Sequence, residues 1–389
     1  MTAAPLLSYI VLSYNYEHFI GTTIRSILEQ TVQDFEIVVV DDGSRDGSIG
    51  VIEGFNDPRI RLLVNPSNIG GAASYNRAVE AARGEWLVNL DADDWTLPDK
   101  AEIQLREAAR DPRLDIIGTF AHFVDDSGAP HPNAAVFEEH VNVERNLNLV
   151  DSWVGGNYLC RSTTMVRRSA HLRFGLDDPG MVRAPDYELW TRALRHDCRF
   201  AVIPERLIYY RVHGGGITHG DPVGTMLEMA YAALRNLIPT AEARALNPTV
   251  GRILHQLARN SFVDHLPPAA LYRLFGIMMA SPALVDYQAF RAALYDGPDD
   301  AVLSRVGRRA LGLDTIWDRI MKEVVEVPVE VPVHIIMKEV VEVPVHIPFS
   351  PRDPIGKAYE FWHSESNRSK LWRISQLGRK AFSRYCRFW

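Results

Sequence analysis

Residues 85–95, EWLVNLDADDW, place an apolar run directly before three carboxylates and a tryptophan. The run Trp86–Leu90 predicts a buried strand, and alternate residues beyond it, such as Asp91 and Asp93, would share one side of the chain. Carboxylates this close repel one another, so a chain tolerates them in water or around a cation. Two interpretations follow: a divalent metal site at the rim of a sheet, or a solvated acidic turn capping a helix near Pro98.

The composition indicates a soluble globular protein with one large or two medium domains. The chain has 389 residues and 47% apolar content, enough for a sizeable core. Its three cysteines are few and widely spaced, which predicts neither a disulfide framework nor a cysteine zinc site. The N-terminal stretch MTAAPLLSYIVLSYN lacks the basic region of a signal peptide, and no run of about 18 apolar residues occurs. We therefore expect a cytoplasmic protein without a membrane span, and the net charge of -7 argues against nucleic acid as a partner.

Strand-like and helix-like segments alternate through the first hundred residues. The predicted strands are LLSYIVLSYN (6–15), FEIVVVDDGS (35–44), IRLLVN (60–65) and EWLVNLDADD (85–94), and the predicted helices are HFIGTTIRSILEQ (18–30) and GGAASYNRAVEAARG (70–84), the second closed by a Gly84 C-cap. This alternation predicts βαβ units and a mostly parallel sheet. Because the carboxyl ends of parallel strands share one edge, Asp41 and Asp42 should lie at the same edge as Asp91 to Asp94, which favours a shared ligand.

This ordered series of motifs resembles the nucleotide-sugar-binding half of a family 2 glycosyltransferase with the GT-A fold. The resemblance covers roughly residues 6–215 and is carried by residues 8–48 and 65–95. It implies an α/β fold in which a mostly parallel sheet is flanked by helices. It also implies an inverting transfer of one sugar, from a nucleotide-diphosphate sugar, with a UDP-sugar favoured, to a hydroxyl acceptor, assisted by Mn²⁺ or Mg²⁺.

The resemblance also implies the site residues. In such enzymes the first strand end and the Asp-Asp-Gly-Ser turn hold the nucleotide base and ribose, and the Asp-x-Asp element holds the metal and diphosphate. The donor contacts implied here are Tyr14, Asn15, Asp41, Asp42, Asn68, Asn76, Asp91 and Arg211, and the metal ligands are Asp91, Asp93, Asp94 and His213. A bound cation would stabilise the negative charge that builds on the leaving diphosphate.

The candidate general base is Asp186 in RAPDYELWTRALRH (183–196). The apolar spacing after it predicts a helix that starts at this aspartate, so an ordinary N-cap residue is the alternative. Family 2 enzymes carry an acidic pair before an aromatic-rich helix at this point, and the second acid is the base, which favours catalysis. Two residues depart from the family pattern. Pro185 replaces the first acid of the pair, and Tyr75 stands where many relatives carry arginine.

The segment LIYYRVHGGGIT (207–218) resembles the closing element of the family. There Arg211 would neutralise phosphate, and His213 would bind the ion or the phosphate unless it is structural. The Gln-x-x-Arg-Trp element of processive synthases is not visible after Asp186, so we expect single sugars to be transferred. A nucleotide-sugar-binding module with little catalytic activity is the alternative function. A Rossmann-type cofactor enzyme is excluded because no G-x-G-x-x-G follows the first strand.

The remainder of the chain divides by composition. We predict a catalytic domain at residues 1–221, a helical region at 222–315, a spacer at 316–350 and a basic amphipathic tail at 351–389. The spacer repeats IMKEVVEVPV at Ile320 and Ile336, and its regular proline predicts an extended conformation. The tail sets basic residues beside aromatic ones, so it either docks on its own domain or binds an anionic membrane surface. The membrane hypothesis places the enzyme at the inner face, near a glycan or lipid-linked acceptor.

Overall fold

The structure is a computed structural model that describes residues 4–213, 221–259, 270, 274, 277 and 286–295. The chain divides into two compact units, residues 1–240 and a second that begins at residue 241. The spacer and the basic tail lie outside the described residues, as does most of the predicted helical region after residue 259. The boundaries expected at residues 221, 315 and 350 therefore stay predictions.

The described strands form one mixed sheet. They are β1 (Leu7–Ser13), β2 (Phe35–Asp41), β3 (Ile60–Val64), β4 (Trp86–Asn89), β5 (Trp95–Thr96), β6 (Ile116–Val124), β7 (Met165–Arg167) and β8 (Phe200–Arg211), in the spatial order β3-β2-β1-β4-β7-β6-β8-β5. Strand β1 is parallel to β2 and β4, β2 to β3, and β6 to β8. Strand β7 runs antiparallel between β4 and β6, and β5 is antiparallel to β8. The predicted α/β class is confirmed, with antiparallel strands inserted in the sheet and added at its edge.

The helices follow the predicted alternation through the first half of the chain. They are α1 (Ile20–Leu28), α2 (Ser48–Glu53), α3 (Gly71–Ala81), α4 (Lys100–Arg110), α5 (Ala134–Val141), α6 (Arg168–Phe174), α7 (Pro185–Arg195), α8 (Pro222–Ala232), α9 (Ile238–Ala243), α10 (Asn247–Arg259) and α11 (Tyr287–Tyr295). A π-helical segment, Ala233–Leu237, joins α8 to α9, and 3₁₀ turns occupy Val150–Trp153 and Arg161–Thr163. Within these described ranges, no helix is long and apolar enough to cross a lipid bilayer.

The core explains why these segments adopt these structures. All seven residues of β2 are buried, as expected for a continuous apolar run that forms an inner strand of a largely parallel sheet. Helix α1 buries Ile20, Ile24 and Ile27, whose spacing forms one helical face. Burying each of these side chains contributes about 1.5–3 kcal/mol. The core therefore fixes the carboxyl ends of β1, β2 and β4 at a common edge.

The expected C-cap at Gly84 is wrong. Helix α3 ends at Ala81, and Ala82 leaves it in an extended conformation with ψ 141°. The N–H of Gly84 instead donates to Ser8 Oγ at 2.8 Å, and a Cβ at this position would lie 2.6 Å from the carbonyl carbon of Leu7. Glycine is required here because the backbone passes close to β1 immediately before β4 begins.

Strand β8 delivers the closing element to the acids after β4. Its pairing with β6 shifts register around Phe120, an irregularity that re-aims the strand end. The short strand β5 pairs Trp95 with Tyr209 of β8. This pairing brings Arg211, at the end of β8, beside the turn that carries Asp94.

Candidate active site

The acidic turn after β4 is held by hydrogen bonds from three directions. The N–H of Asp94 donates to the carbonyl of Asp91 at 3.1 Å, which closes the turn. The N–H of Asp91 donates to Ser162 Oγ at 3.0 Å, and Thr23 Oγ1 donates to the carbonyl of Asp94 at 2.7 Å. Asp94 is only 1% exposed, and Asp99, which precedes α4, makes no side-chain cap. The interpretation as a solvated capping turn is therefore wrong.

Negative charge is concentrated in this turn. Desolvation, and after it the charge of Asp93, raises the pKa of Asp91 to about 6. The same two causes, with Asp91 added, raise the pKa of Asp94 well above its usual range. Asp91 and Asp94 are thus harder to ionise in the presence of the neighbouring carboxylates. A cation bound at the turn would relieve this repulsion.

The structure brings together Asp93 and His213, two of the predicted metal ligands. Asp93 Oδ2 lies 2.9 Å from His213 Nε2, and this hydrogen bond is the main cause that raises the pKa of the imidazole. The rings of Tyr16 and Phe19 pack against the imidazole, with centroids 6.1 and 5.9 Å away. Burial and the nearby Asp93 carboxylate raise the pKa of the Tyr16 phenol. Tyr16 was not among the predicted site residues.

Arg211 fastens the acidic turn to its surroundings. Its backbone N–H donates to Asp94 Oδ1 at 2.8 Å, and Nε donates to the carbonyl of Asp93 at 3.0 Å. Nη1 donates to the carbonyls of Asp125 and Asp126 at 2.9 and 2.6 Å. The guanidinium lies over the ring of Phe19, 4.4 Å from its centroid. A contact between Arg211 and phosphate remains a prediction.

The acidic turn fits a metal that takes only part of its coordination from the protein. Among the described residues, no three His, Cys, Asp or Glu side chains are gathered in a ready-made metal site. Hard divalent ions such as Mg²⁺ are commonly bound by one or two carboxylates, with waters and substrate phosphates completing the shell. Asp94 Oδ2 is buried with no hydrogen-bond partner in the described part of the chain. The carboxylates that could share an ion with a diphosphate are the three of the turn, Asp91, Asp93 and Asp94.

Asp186 lies at the second position of α7 and not at its N-cap. The N-cap residue is Ala184 and the first helical residue is Pro185, so the alternative of an N-cap aspartate is wrong. Asp186 Oδ1 accepts from the Tyr187 N–H at 2.8 Å, and Oδ2 accepts from Asn157 Nδ2 at 2.7 Å. Desolvation raises the pKa of Asp186 despite these donors. The carboxylate is thus oriented through both of its oxygens.

Arg161 was missed by the sequence analysis. Its Nη2 donates to Asp177 Oδ2 at 2.8 Å, and its guanidinium lies 4.1 Å from the centroid of the Tyr75 ring. Desolvation opposes its charge, but Asp177 and the nearby Asp186 and Asp91 carboxylates raise the pKa of the guanidinium. A cation thus packs on the ring of Tyr75. No local motif marks Arg161, because only the fold brings it to these acids.

The segment before Asp186 is anchored by a carboxylate from α8. Glu228 accepts hydrogen bonds from the N–H groups of Val182, Arg183 and Ala184 at 2.9, 2.8 and 2.8 Å. Its side chain is buried. These three donors precede α7, where helix N–H groups need acceptors. Glu228 therefore fixes the entry to the helix that carries Asp186.

The residues predicted to contact the nucleotide base and ribose lie in the loops at the ends of β1 and β2. Asp41 is fully buried, and its two oxygens accept from the N–H and Oγ of Ser44 at 2.8 and 2.6 Å. Asn15 adopts a positive φ of 59°, and its N–H donates to Ser44 Oγ at 2.8 Å. Tyr14 is 40% exposed beside it. Asp42 accepts from Asn65 Nδ2 at 2.7 Å. Asp41 and Asp42 thus hold the loops at the ends of these strands in place.

The other two predicted asparagines, Asn68 and Asn76, have different surroundings. Asn68 is exposed, and its Oδ1 accepts from the Gly70 N–H at 3.1 Å, beside the loop anchored by Asp42. Asn76 donates to the carbonyl of Asp177 at 2.9 Å and accepts from its N–H at 2.8 Å. Asn76 therefore joins α3 to the segment before α7, and its contact with a donor remains a prediction.

Comparison with known proteins agrees with this arrangement. Residues 8–173 match the family model described as Glycosyl transferase family 2. An uncharacterised glycosyltransferase of Methanocaldococcus jannaschii is 29% identical over 212 residues, which cover 54% of this chain and 71% of the relative. Over 100 residues, 26% of this chain and 40% of the relative, the identity is 40% to UDP-Glc:alpha-D-GlcNAc-diphosphoundecaprenol beta-1,3-glucosyltransferase of Escherichia coli.

A solved structure shares the fold. The crystal structure of S. aureus TarS 1–349 in complex with UDP aligns with a TM-score of 0.53 at 18% sequence identity. The alignment covers 79% of this chain and 91% of the TarS chain. The GT-A fold expected from the sequence is confirmed by this likeness.

Proposed function

We propose, from the match of residues 8–173 to the family 2 glycosyltransferases, that this nucleotide-sugar-dependent glycosyltransferase transfers one sugar with inversion and with the help of a divalent metal. The proposed donor is a UDP-sugar, and the proposed acceptor is a hydroxyl of a glycan or lipid-linked saccharide. The observation that carries the proposal is the division of carboxylates between two elements. Asp91, Asp93 and Asp94 follow β4, whereas Asp186 is held separately at the start of α7.

The proposed role of the acidic turn is to stabilise the leaving group. Asp93 and Asp91 would hold Mn²⁺ or Mg²⁺, which supplies Lewis-acid stabilisation to the departing diphosphate. Arg211 keeps the turn in place, since two of its hydrogen bonds end on Asp94 and Asp93 and two on the carbonyls of Asp125 and Asp126. His213 contacts Asp93 and would contribute either to the ion or to the phosphate.

The proposed role of Asp186 is to take the proton from the attacking hydroxyl of the acceptor. A direct displacement needs a base for the acceptor hydroxyl on the face of the sugar opposite the leaving group. Desolvation raises the pKa of Asp186, which makes the carboxylate a better proton acceptor than an exposed aspartate. Its two recorded hydrogen bonds occupy one site on each oxygen, and a carboxylate has about four such sites. The remaining sites suit an acceptor hydroxyl.

The relatives support the proposed donor and acceptor classes. The Escherichia coli relative is named for a UDP-glucose donor and a diphosphoundecaprenol-linked acceptor. An acceptor of that class resides in a membrane, which fits the hypothesis that the basic tail at residues 351–389 holds the enzyme at the inner face. Peripheral association of a cytoplasmic enzyme is therefore part of the proposal.

A nucleotide-sugar-binding module with little activity is the second candidate. Pro185 favours it, because this residue removes the acid that relatives carry beside the base. The ordered hydrogen bonds on the Asp186 carboxylate favour catalysis.

A donor screen separates the two functions. The full chain is incubated with UDP-, GDP- and dTDP-sugars, with and without Mn²⁺, and nucleotide release is measured. Release that requires Mn²⁺ supports the enzyme, whereas tight donor binding without release supports the binding module. For the active donor, NMR of the product reports the anomeric configuration. A retained configuration would contradict direct displacement.

A further inference from the structure

Among the described residues, Asn157 is the one outside α7 whose side chain donates a hydrogen bond to Asp186. Asn157 Nδ2 donates to Asp186 Oδ2 at 2.7 Å, a short distance typical of a hydrogen bond to an ionised carboxylate. The other oxygen is held within the helix by the Tyr187 N–H. Pro185 places no carboxylate next to Asp186, so a neutral amide provides the outside contact.

The orientation of this amide is determined by its second hydrogen bond. Asn157 Oδ1 accepts from the N–H of Leu159 at 3.2 Å. Exchanging the oxygen and nitrogen would set an oxygen against the Asp186 carboxylate and an NH₂ group against a backbone N–H, so both contacts would be lost. The NH₂ group therefore points to Asp186.

The loop that carries Asn157 is fastened to α7 independently of Asn157. Tyr187 donates from its hydroxyl to the carbonyl of Trp153 at 2.7 Å, and Trp190 Nε1 donates to the carbonyl of Leu159 at 3.0 Å. These two hydrogen bonds flank Asn157 on both sides in sequence. The loop should keep its place when Asn157 is replaced, and the effect of replacement then falls on the carboxylate.

We propose that Asn157 is a positioning residue that holds the Asp186 carboxylate ionised and aimed at the acceptor hydroxyl. The inference rests on the proposed function in taking Asp186 as the base. Arg161, Asp91 and Cys160 are the other titratable groups that face Asp186. Arg161 forms its ion pair with Asp177, whereas Asn157 donates the hydrogen bond to Asp186, so Asn157 supplies the direct contact.

The test measures kcat/KM as a function of pH in the full chain and compares the acid limbs of the profiles. The donor is the most active one in a panel of UDP-, GDP- and dTDP-sugars. Asn157→Leu removes the amide, and Asn157→Asp keeps its shape without a donor. Each substitution should move the acid limb upward by about one pH unit, because the ionised base loses a stabilising hydrogen bond or gains a like charge. The rate at low pH then falls about tenfold while the KM for the donor stays unchanged.

Asn148→Asp is the matched control. Asn148 Nδ2 donates to the carbonyl of Phe200 and its Oδ1 accepts from the Phe200 N–H, both at 2.9 Å. Its replacement removes an amide with a comparable structural role at a site that does not contact Asp186. The acid limb of this variant should coincide with that of the wild type, which separates positioning from general destabilisation.

A second readout needs neither donor nor acceptor. In protein labelled at aspartate with ¹³C, the carboxyl resonance that Asp186→Asn removes is followed through a pH titration. Its midpoint should rise in both Asn157 variants and stay fixed in Asn148→Asp. Unchanged midpoints in both Asn157 variants would overturn the proposal. Wild-type transfer by Asp186→Asn would instead refute the assignment of the base, while the titration still decides whether Asn157 holds this carboxylate.

Discussion

Asp93 and His213, which are 120 residues apart, share a 2.9 Å hydrogen bond between Oδ2 and Nε2. The bond joins the turn after β4 to the segment after β8. It therefore connects the proposed metal-binding carboxylate to the closing element. Asp186 has different hydrogen-bond partners, Asn157 and Tyr187.

The separation of Asp93 from Asp186 predicts separable defects. Asp93→Asn should abolish metal-dependent donor binding, whereas Asp186→Asn should leave donor binding largely intact and remove transfer. Calorimetric titration of UDP with and without Mn²⁺ measures the first property, and product formation measures the second. Loss of Lewis-acid stabilisation should cost several kcal/mol of barrier. Near-wild-type transfer by Asp186→Asn would show that Asp186 is not the general base.

His213 should affect the affinity for metal and nucleotide together. His213→Gln removes an imidazole that contacts Asp93, and a change of this kind near a metal typically weakens metal affinity about 10–100-fold. Binding of Mn²⁺ in the presence of UDP, followed by electron paramagnetic resonance, measures the change. His131→Gln serves as the control, because His131 accepts from the nearby Asn133 N–H, away from the acidic turn. Equal affinities in the two variants would make His213 structural.

His171 should make the protein sensitive to acid. Burial lowers the pKa of its imidazole from 6.5 to about 4, and Nε2 lies 3.2 Å from the Tyr75 hydroxyl. As the pH falls, His171 therefore binds a proton at a higher pH in the unfolded chain than in the folded protein. The stability that neutral His171 contributes is present above about pH 6.5 and is lost toward pH 4, on the order of 3 kcal/mol in total.

A urea titration at several pH values measures this contribution. His171→Gln should be less stable than the wild type at pH 7.5, and the difference between the two proteins should shrink as the pH approaches 4. Taking the difference cancels the other titrating groups, including Asp177, whose pKa burial raises to about 6 and whose effect has the opposite sign. A difference that is constant with pH would contradict the assignment.

The basic tail should bind anionic vesicles. Each lysine or arginine near such a surface contributes about 1 kcal/mol, and Trp372 and Trp389 suit the headgroup region. The full chain should co-sediment with phosphatidylglycerol-containing liposomes at low salt, and high salt or truncation after Ser350 should release it. If the full chain stays in the supernatant at low salt, the membrane proposal is wrong.

The strands and the acidic rim could be predicted because their signals are local. The apolar runs before Asp41 and Asp91 identify β2 and β4, and the alternation of elements places their ends at one edge. Gly84 was misassigned because a glycine after a helix resembles a C-cap. Its actual constraint is the approach of β1, which no neighbouring residue encodes.

The partners of the site residues could not be predicted because they depend on long-range pairing. Arg161 reaches Asp177 and Tyr75 because β7, which follows it, lies antiparallel between β4 and β6. Asn157 likewise meets Asp186 only because two hydrogen bonds from α7 hold its loop. Sequence spacing identified the acid of the proposed base but not the amide that orients it.

The three hydrogen bonds of Glu228 set a rule for exchanging parts between related enzymes. A chimera joined at residue 221 would take Glu228 from one parent and the backbone N–H groups of residues 182–184 from another. If the replacing segment lacked that carboxylate, all three donors would lose their acceptor, and the buried N–H of Ala184 would go unmatched at a cost of about 1–3 kcal/mol. A junction after Thr240, where the first compact unit ends, keeps the pair together. An exchange of the C-terminal region should therefore begin at that point, with α8 left beside its own α7.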